Sequence, residues 1–217
     1  MTRSSARRNR KVVARPPLLP VVVIAMLLGT CAAPDVAGAP ADEPRLAVSI
    51  GAGLFRPAEE AMRDRYGSTH WPWIVQADVR LVGPFSIFAG ARRASRDGET
   101  LPEPPVVADE RFPIELTSTA VRFGGGAGGR LGNVDVVANI GAERASGTET
   151  WPALGQSYDF SGWGVLLQGA IRVPLWWRVA ALGLVEFDHL PVEPAVSGAS
   201  KIDVGGFTLG AGVSLRF

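Results

Sequence analysis

A chain of 217 residues with 22 Lys/Arg, 21 Asp/Glu, one cysteine and two histidines has little material for metal or redox chemistry. One cysteine excludes an internal disulfide, and the scattered His70 and His189 make no ligand cluster, so neither metal nor cofactor is expected. Residues 1–41 hold six of the basic and one of the acidic residues, leaving 16 basic and 20 acidic in 42–217, a net charge of −4. That balance builds no polyanion-binding surface and excludes nucleic acid as an expected partner.

In chain order, residues 1–41 read as a cleavable signal peptide. Arg3, Arg7, Arg8, Arg10, Lys11 and Arg15 make a basic start, Leu18 to Leu28 an apolar centre broken by Pro20, and Ala39-Pro40-Ala41 a small-residue cleavage site. An uncleaved anchor is the alternative, but the apolar run is short of the roughly 20 residues a spanning helix needs. Arg7-Arg8 is followed by polar residues, unlike a twin-arginine signal. Thr30 before Cys31 makes a poor lipoprotein box, so Cys31 is expected to leave with the signal. Residues 42–217 then form one domain.

Residues 45–56 put Leu46, Val48, Ile50, Ala52 and Leu54 on one face and Ala47, Ser49, Gly51 and Gly53 on the other, the period of two of a strand with one apolar side. A short helix over 57–67 follows, with Pro57 first, Glu59 and Glu60 near its positive end, Arg63 and Arg65 near the other, and Gly67 as cap. Ala58, Met62 and Tyr66 share a face; the segment reads first as a locally stable loop, second as a lid over whatever the strands enclose. Alternation resumes in 73–82 (Trp73, Val75, Ala77, Val79 and Leu81 against Gln76, Asp78 and Arg80) and in 85–93 (Phe85, Ile87, Ala89 and Ala91 against Ser86, Gly90 and Arg92). In 114–128 the phase is lost, since Leu116 and Val121 fall on opposite faces; a bulge near Ser118-Thr119 would restore it.

Residues 134–144 set Val134, Val136, Ala138, Ile140 and Ala142 against Asp135, Asn139, Gly141 and Glu143. In 161–173 the contrast is Trp163, Val165, Leu167, Ile171 and Val173 against Gly164, Gln168 and Arg172; in 176–188 it is Trp177, Val179, Ala181, Val185 and Phe187 against Arg178, Glu186 and Asp188. Leu166, Leu182 and Leu184 break the pattern by falling on the polar faces. Finally Phe207, Leu209, Ala211, Val213, Leu215 and Phe217 alternate with Thr208, Gly210, Gly212, Ser214 and Arg216, eleven unbroken residues, about what a tilted strand needs to cross a bilayer.

Eight strands result, and their connections (57–72, 83–84, 94–113, 129–133, 145–160, 174–175 and 189–202) alternate long and short, the rhythm of a barrel with short periplasmic turns and long extracellular loops. The expected fold is all-β: an eight-stranded, antiparallel, up-and-down transmembrane β-barrel in the outer membrane, with lipid against its apolar face. Trp71 and Trp73 at one level and Trp176 and Trp177 at the other suit two interfacial girdles. Nearly the whole of 42–217 resembles, in architecture, the small outer-membrane barrels of the OmpA, OmpX and OmpW kind, and the closing Val213, Leu215 and Phe217 resemble the C-terminal signal that the barrel assembly machinery recognises.

Lys or Arg facing mid-bilayer lipid costs about 2–4 kcal/mol, so the charged faces must turn inward. Asp78, Arg80, Arg92, Asp135, Glu143, Gln168, Arg172, Arg178 and Glu186 are the candidate interior polar network, either a plug of salt bridges or a narrow ion path. Arg172 and Arg178 flank Pro174-Leu175 at the periplasmic mouth, where they read either as solvated rim arginines or as a pair that attracts an anion or a periplasmic partner. The loops 57–72, 94–113, 145–160 and 189–202 are the candidate surface for an extracellular ligand. Some small barrels carry a Ser–His pair for lipid A chemistry; Ser68, His70 and His189 do not match that spacing, and no catalytic residue is expected. The run Gly124 to Gly129 lacks the Lys-Ser/Thr of a phosphate loop and reads as strand and turn.

Overall fold

The computed structural model describes residues 45–100, 112–194 and 201–217. The expected signal peptide, its cleavage site and Cys31 lie outside the described residues, as do parts of two expected loops.

The zigzag segments close into a cylinder. Strands β1 (Leu46–Pro57), β2 (Trp73–Arg80), β3 (Phe85–Thr100), β4 (Phe112–Leu131), β5 (Val134–Trp151), β6 (Gln156–Trp176) and β7 (Val179–His189) run antiparallel, each beside its sequence neighbour. Two short strands at one rim, β8 (Pro191–Pro194) and β9 (Ile202–Asp203), precede β10 (Gly206–Arg216). Strand β10 pairs with both β7 and β1, from Ala47↔Arg216 to Pro57↔Gly206, which closes an eight-stranded wall and leaves no edge along the seam.

Outside, the wall is a hydrocarbon-facing belt. Ile50, Val75, Ile87, Phe123, Ile140, Val165, Leu209 and Val213 are all exposed. An apolar area of this extent is unlike any soluble surface and calls for lipid. Trp73 and Trp163 bound the belt on one side, with Phe123 edge-on to Trp163 at 6.3 Å; Phe85, Trp176, Trp177 and Phe217 bound it on the other. At the latter rim the turns are tight: Gly132-Asn133 joins β4 to β5, with Gly132 at φ 64°, and Trp177-Arg178 joins β6 to β7. Short turns mark the periplasmic end of such barrels.

Four strands are far longer than the hydrophobic pattern predicts. β3, β4, β5 and β6 have 16, 20, 18 and 21 residues, so most of the expected loop 145–160 and the described parts of 94–113 are paired sheet projecting beyond the belt. The outward residues of this projection are polar: Ser95, Asp97, Glu115, Thr117, Thr119, Ser146 and Ser161. The expected connection 145–160 shrinks to a single 3-10 turn at Pro152–Leu154, capped by Gly155 at φ 61°.

The expected bulge at Ser118-Thr119 is absent: β4 keeps one register from Glu115↔Thr150 to Leu131↔Val134. Leu116 and Val121 do face opposite ways, and both are apolar for different reasons. Val121 meets lipid, whereas Leu116 points into the barrel mouth and is 4% exposed. The helix also starts later than expected. Pro57 belongs to β1, and α1 spans Glu60–Tyr66 with Arg63 Nη1 donating to the carbonyls of Pro57 and Ala58 at 2.9 and 2.7 Å. At mid-height Phe88 is large and buried, and room for it comes from two glycines: a Cβ on Gly124 or Gly141 would lie 2.8 or 2.7 Å from its ring.

Candidate functional site

The strands enclose a lumen filled in four tiers. At the periplasmic mouth, Arg172 from β6 binds Asp78 from β2, and Asp135 of β5 accepts from Arg216 Nη1 at 2.9 Å and Arg130 Nε at 3.2 Å. Arg45 and Arg80 complete the ring around a cavity of about 60 Å³. Above it the amides of Gln76, Asn139 and Gln168 cross the lumen. Gln76 Nε2 donates to Asp78 Oδ1 at 2.9 Å and to Gln168 Oε1 at 3.0 Å, and Asn139 Nδ2 donates to the same oxygen at 2.7 Å. The leucines that broke the polar faces, Leu182 and Leu184, fill the remaining width here with Ile74 and Ala170.

The third tier holds the most deeply buried charges. Arg122 Nη1 meets Glu186 Oε1 at 2.8 Å, with both side chains inaccessible, and Gln168 Nε2 donates to that same oxygen at 2.6 Å. Arg92 binds Asp188 and lies 3.7 Å from Glu143. Burying these charges is tolerable only because each carboxylate faces a guanidinium. The guanidiniums of Arg92 and Arg96 lie 5.1 and 4.8 Å from the centre of the Phe55 ring, a cation–π stack that marks the upper limit of the charged tiers.

The fourth tier is apolar. Met62 and Tyr66 of α1 pack into the mouth against Ile114, Leu116, Ala120, Ala145, Leu190, Val192 and Val204. Tyr66 also donates its hydroxyl to Glu149. Burial, and then this carboxylate, push the Tyr66 phenol far above the ordinary tyrosine range. Behind the helix, His70 is 8% exposed and tilted against Phe55 at 6.4 Å. Burial first, and the nearby Arg96 second, lower its pKa from 6.5 to about 4.

Of the nine residues expected inside, Asp78, Arg92, Glu143, Gln168, Arg172 and Glu186 are buried in the lumen, and Arg80 and Asp135 are half-buried at its mouth. Arg178 is not inside. The pairing of β6 with β7 shifts between Pro174 and Trp176, and the chain turns at Trp177 (φ 42°), so the strand parity that pointed Arg178 inward does not reach it. Its guanidinium instead lies outside, 4.6 Å from the Trp177 ring centre and 5.8 Å from that of Phe217. Arg122, Arg96 and Asp188 join the network beyond the expected set. Carrying the Leu116 parity unbroken down β4, or the Arg92 parity four residues up β3, would have found the first two. Val213, Leu215 and Phe217 all face outward.

The two histidines lie in different settings, His70 buried and His189 on the exposed rim. His70 Nε2 is buried with no hydrogen-bond partner among the described residues, and the ring bonds the Gly67 backbone. His189 Nδ1 contacts Asp203 Oδ2 at 2.6 Å on the exposed rim, where Asp203 Oδ1 also accepts from the amides of Leu190 and Gly205. Among the described residues no group of three or more His, Cys, Asp or Glu side chains could hold a metal.

A closed antiparallel cylinder of eight strands with an apolar outer belt, aromatic rims and a polar filled interior defines a membrane-spanning β-barrel. Known folds narrow this further. No family model and no curated protein matches the sequence. Among solved structures, the outer membrane protein OprG from Pseudomonas aeruginosa superposes with a TM-score of 0.60 at 10% identity, over 81% of this chain and 96% of that one. Neisserial surface protein A gives 0.56 at 11% identity over 79% and 97%. Ail, the attachment invasion locus protein of Yersinia pestis, gives 0.51 at 15% identity over 81% and 99%. The chain has the fold of the small eight-stranded outer-membrane barrels, and with its lipid-facing belt it is an integral outer-membrane barrel.

Proposed function

We propose that this barrel is a non-catalytic surface protein: a sealed membrane anchor that presents the projecting sheet of β3–β6 to the cell exterior as an interaction surface. One observation carries the reading. Among the described residues the lumen is crossed at four heights, by ion pairs, then amides, then ion pairs, then an apolar plug seeded by α1. A chain built to conduct would leave a continuous wet path, whereas here residues from opposite walls bond across the axis. The polar outer face of the projection suits contact with a hydrated partner, and Thr148 Oγ1 donating to Asp159 at 2.7 Å helps hold the tip as sheet. The exposed residues of 57–72 and the described ends of 189–202 are the rest of the proposed surface. Val213, Leu215 and Phe217 serve as the recognition strand for the assembly machinery, supported by their outward, unshielded placement.

Planar-bilayer recording tests the sealed lumen. The purified barrel is expected to give no current steps above the lipid background; steps altered by Arg80→Ala or Glu186→Ala would replace this reading with a pore. A chain shortened between Gly147 and Phe160 is expected to keep its heat-modifiable gel shift while losing attachment to host cells or matrix. Unchanged attachment after this and the equivalent shortening of 94–113 would reject the surface role.

A further inference from the structure

On the outside of the wall, three arginines recur at one point of the pattern. Arg56, Arg93 and Arg144 each stand two residues beyond the last outward apolar residue of their strands (Leu54, Ala91 and Ala142), and all three are exposed. Their strands β1, β3 and β5 all run toward the extracellular rim. Each arginine also has an aromatic residue directly across the sheet: Phe207 opposite Arg56, Trp73 opposite Arg93 and Trp163 opposite Arg144. The Arg144 guanidinium lies 5.8 Å from the centre of the Trp163 ring. From Val134 to Arg144 the strand climbs about 25 Å along the membrane normal, at about 3.3 Å per residue and a tilt of about 40°. That is the upper edge of a belt about 25 Å tall, where tryptophan rings mark the lipid headgroup level. The protein does not consume this charge itself. No ion pair or side-chain hydrogen bond ties the three arginines to a described residue, and the first outward acid on their strands, Asp97, lies four residues beyond Arg93.

We infer that this collar binds a multiply phosphorylated lipid of the outer leaflet, with its phosphates on Arg93 and Arg144 and its acyl chains against the apolar wall beneath. The inference rests on the membrane-spanning fold and not on the surface role proposed above. A guanidinium whose face stacks on a ring keeps its N–H edge free, and that fork matches two oxygens of a phosphate. Strand β4 separates Arg93 from Arg144, with Thr119 opposite Arg93, and strand spacing and rise put their Cα atoms about 12 Å apart. One lipid with phosphates at both ends of its headgroup spans that distance, and a lipid with a single phosphate does not. Arg56, beyond β2, extends the collar along the same level. A free phosphate ion gains less, because Val121 and Ile140 below the arginines offer it only an apolar wall.

Native mass spectrometry of the folded barrel in zwitterionic detergent, titrated with bis-phosphorylated lipid A at low constant ionic strength, tests the site. Saturable binding is expected, weakened about tenfold or more when the lipid lacks both phosphates. Arg93→Gln or Arg144→Gln should each weaken it several-fold, and the two together about tenfold or more, the scale for removing interfacial cations from an anionic lipid. Neither change breaks a described ion pair, and the heat-modifiable gel shift verifies that each variant is folded. Arg178→Gln, which removes a lone stacked arginine at the opposite rim, should leave binding unchanged. Phosphatidylglycerol should bind several-fold more weakly, and inorganic phosphate at matched concentration should not displace the lipid. Binding that ignores the lipid phosphates or the double variant overturns the inference. So does equal weakening by Arg178→Gln, equal affinity for phosphatidylglycerol, or displacement by inorganic phosphate.

Discussion

Ile140→Arg is the sharpest trial of the lipid-facing belt. Ile140 is 64% exposed on β5, six residues from Val134 at the periplasmic end of that strand. At about 3.3 Å per residue and a tilt of about 40°, it stands about 15 Å along the membrane normal, near the middle of a belt about 25 Å tall. A charge there is expected to cost about 2–4 kcal/mol, roughly 30- to 1,000-fold in the folding equilibrium. Ser146→Arg, twelve residues up the same face and about 30 Å from the start, lies past the belt beside the native Arg144, and should cost close to nothing. Urea unfolding in lipid vesicles, followed by tryptophan fluorescence, measures both; at about 2 kcal/mol per molar, Ile140→Arg lowers the midpoint by about 1–2 M. Equal midpoints for the two variants would mean that the outward face does not meet hydrocarbon, and the membrane reading would fail.

Three further outcomes follow from the filled lumen. Arg122→Met alone leaves Glu186 buried without its guanidinium and should cost about 3–5 kcal/mol, while Arg122→Met/Glu186→Met together should recover most of that loss in the same unfolding assay. Leu116→Ala, which empties part of the apolar tier, should cost about 2–5 kcal/mol and make the α1 segment cleavable by added protease before the barrel unfolds. His70 has a folded pKa of about 4 against 6.5 unfolded, so its stabilising contribution is whole above pH 6.5 and drains away as the pH falls toward 4. His70→Phe should flatten that part of the stability profile, as judged by unfolding midpoints at pH 7 and 4.5.

The wall was legible in the sequence wherever one face of a strand touches lipid, because hydrocarbon demands an apolar side chain at every second position. Leu46 to Leu54 and Phe207 to Phe217 show this directly. Past the belt the demand lapses. Ser95, Thr117, Ser146 and Ser161 are as polar as a loop, so the upper reaches of β3–β6 carry no visible alternation, and only backbone pairing reveals them. The interior was legible where a charge shares a strand with a clean apolar face, as for Asp78 or Glu186. It failed at Arg122, whose strand changes the purpose of its inward face midway, from gripping α1 with Ile114 and Leu116 to pairing charge below. It failed differently at Arg178, where parity was carried one residue too far into a turn.

The seam between β1 and β10 joins the first and the last strands of the wall, with Gly51 opposite Gly212 and Gly53 opposite Gly210. No subset of the polypeptide can therefore form a finished tube during synthesis. The chain must travel as an open string and be sewn shut in one late event, with small residues letting the two hems approach closely. Removing β10 takes away the one strand paired with both β1 and β7. It leaves β1 and β7 as two raw hems in the greasiest surroundings a cell provides.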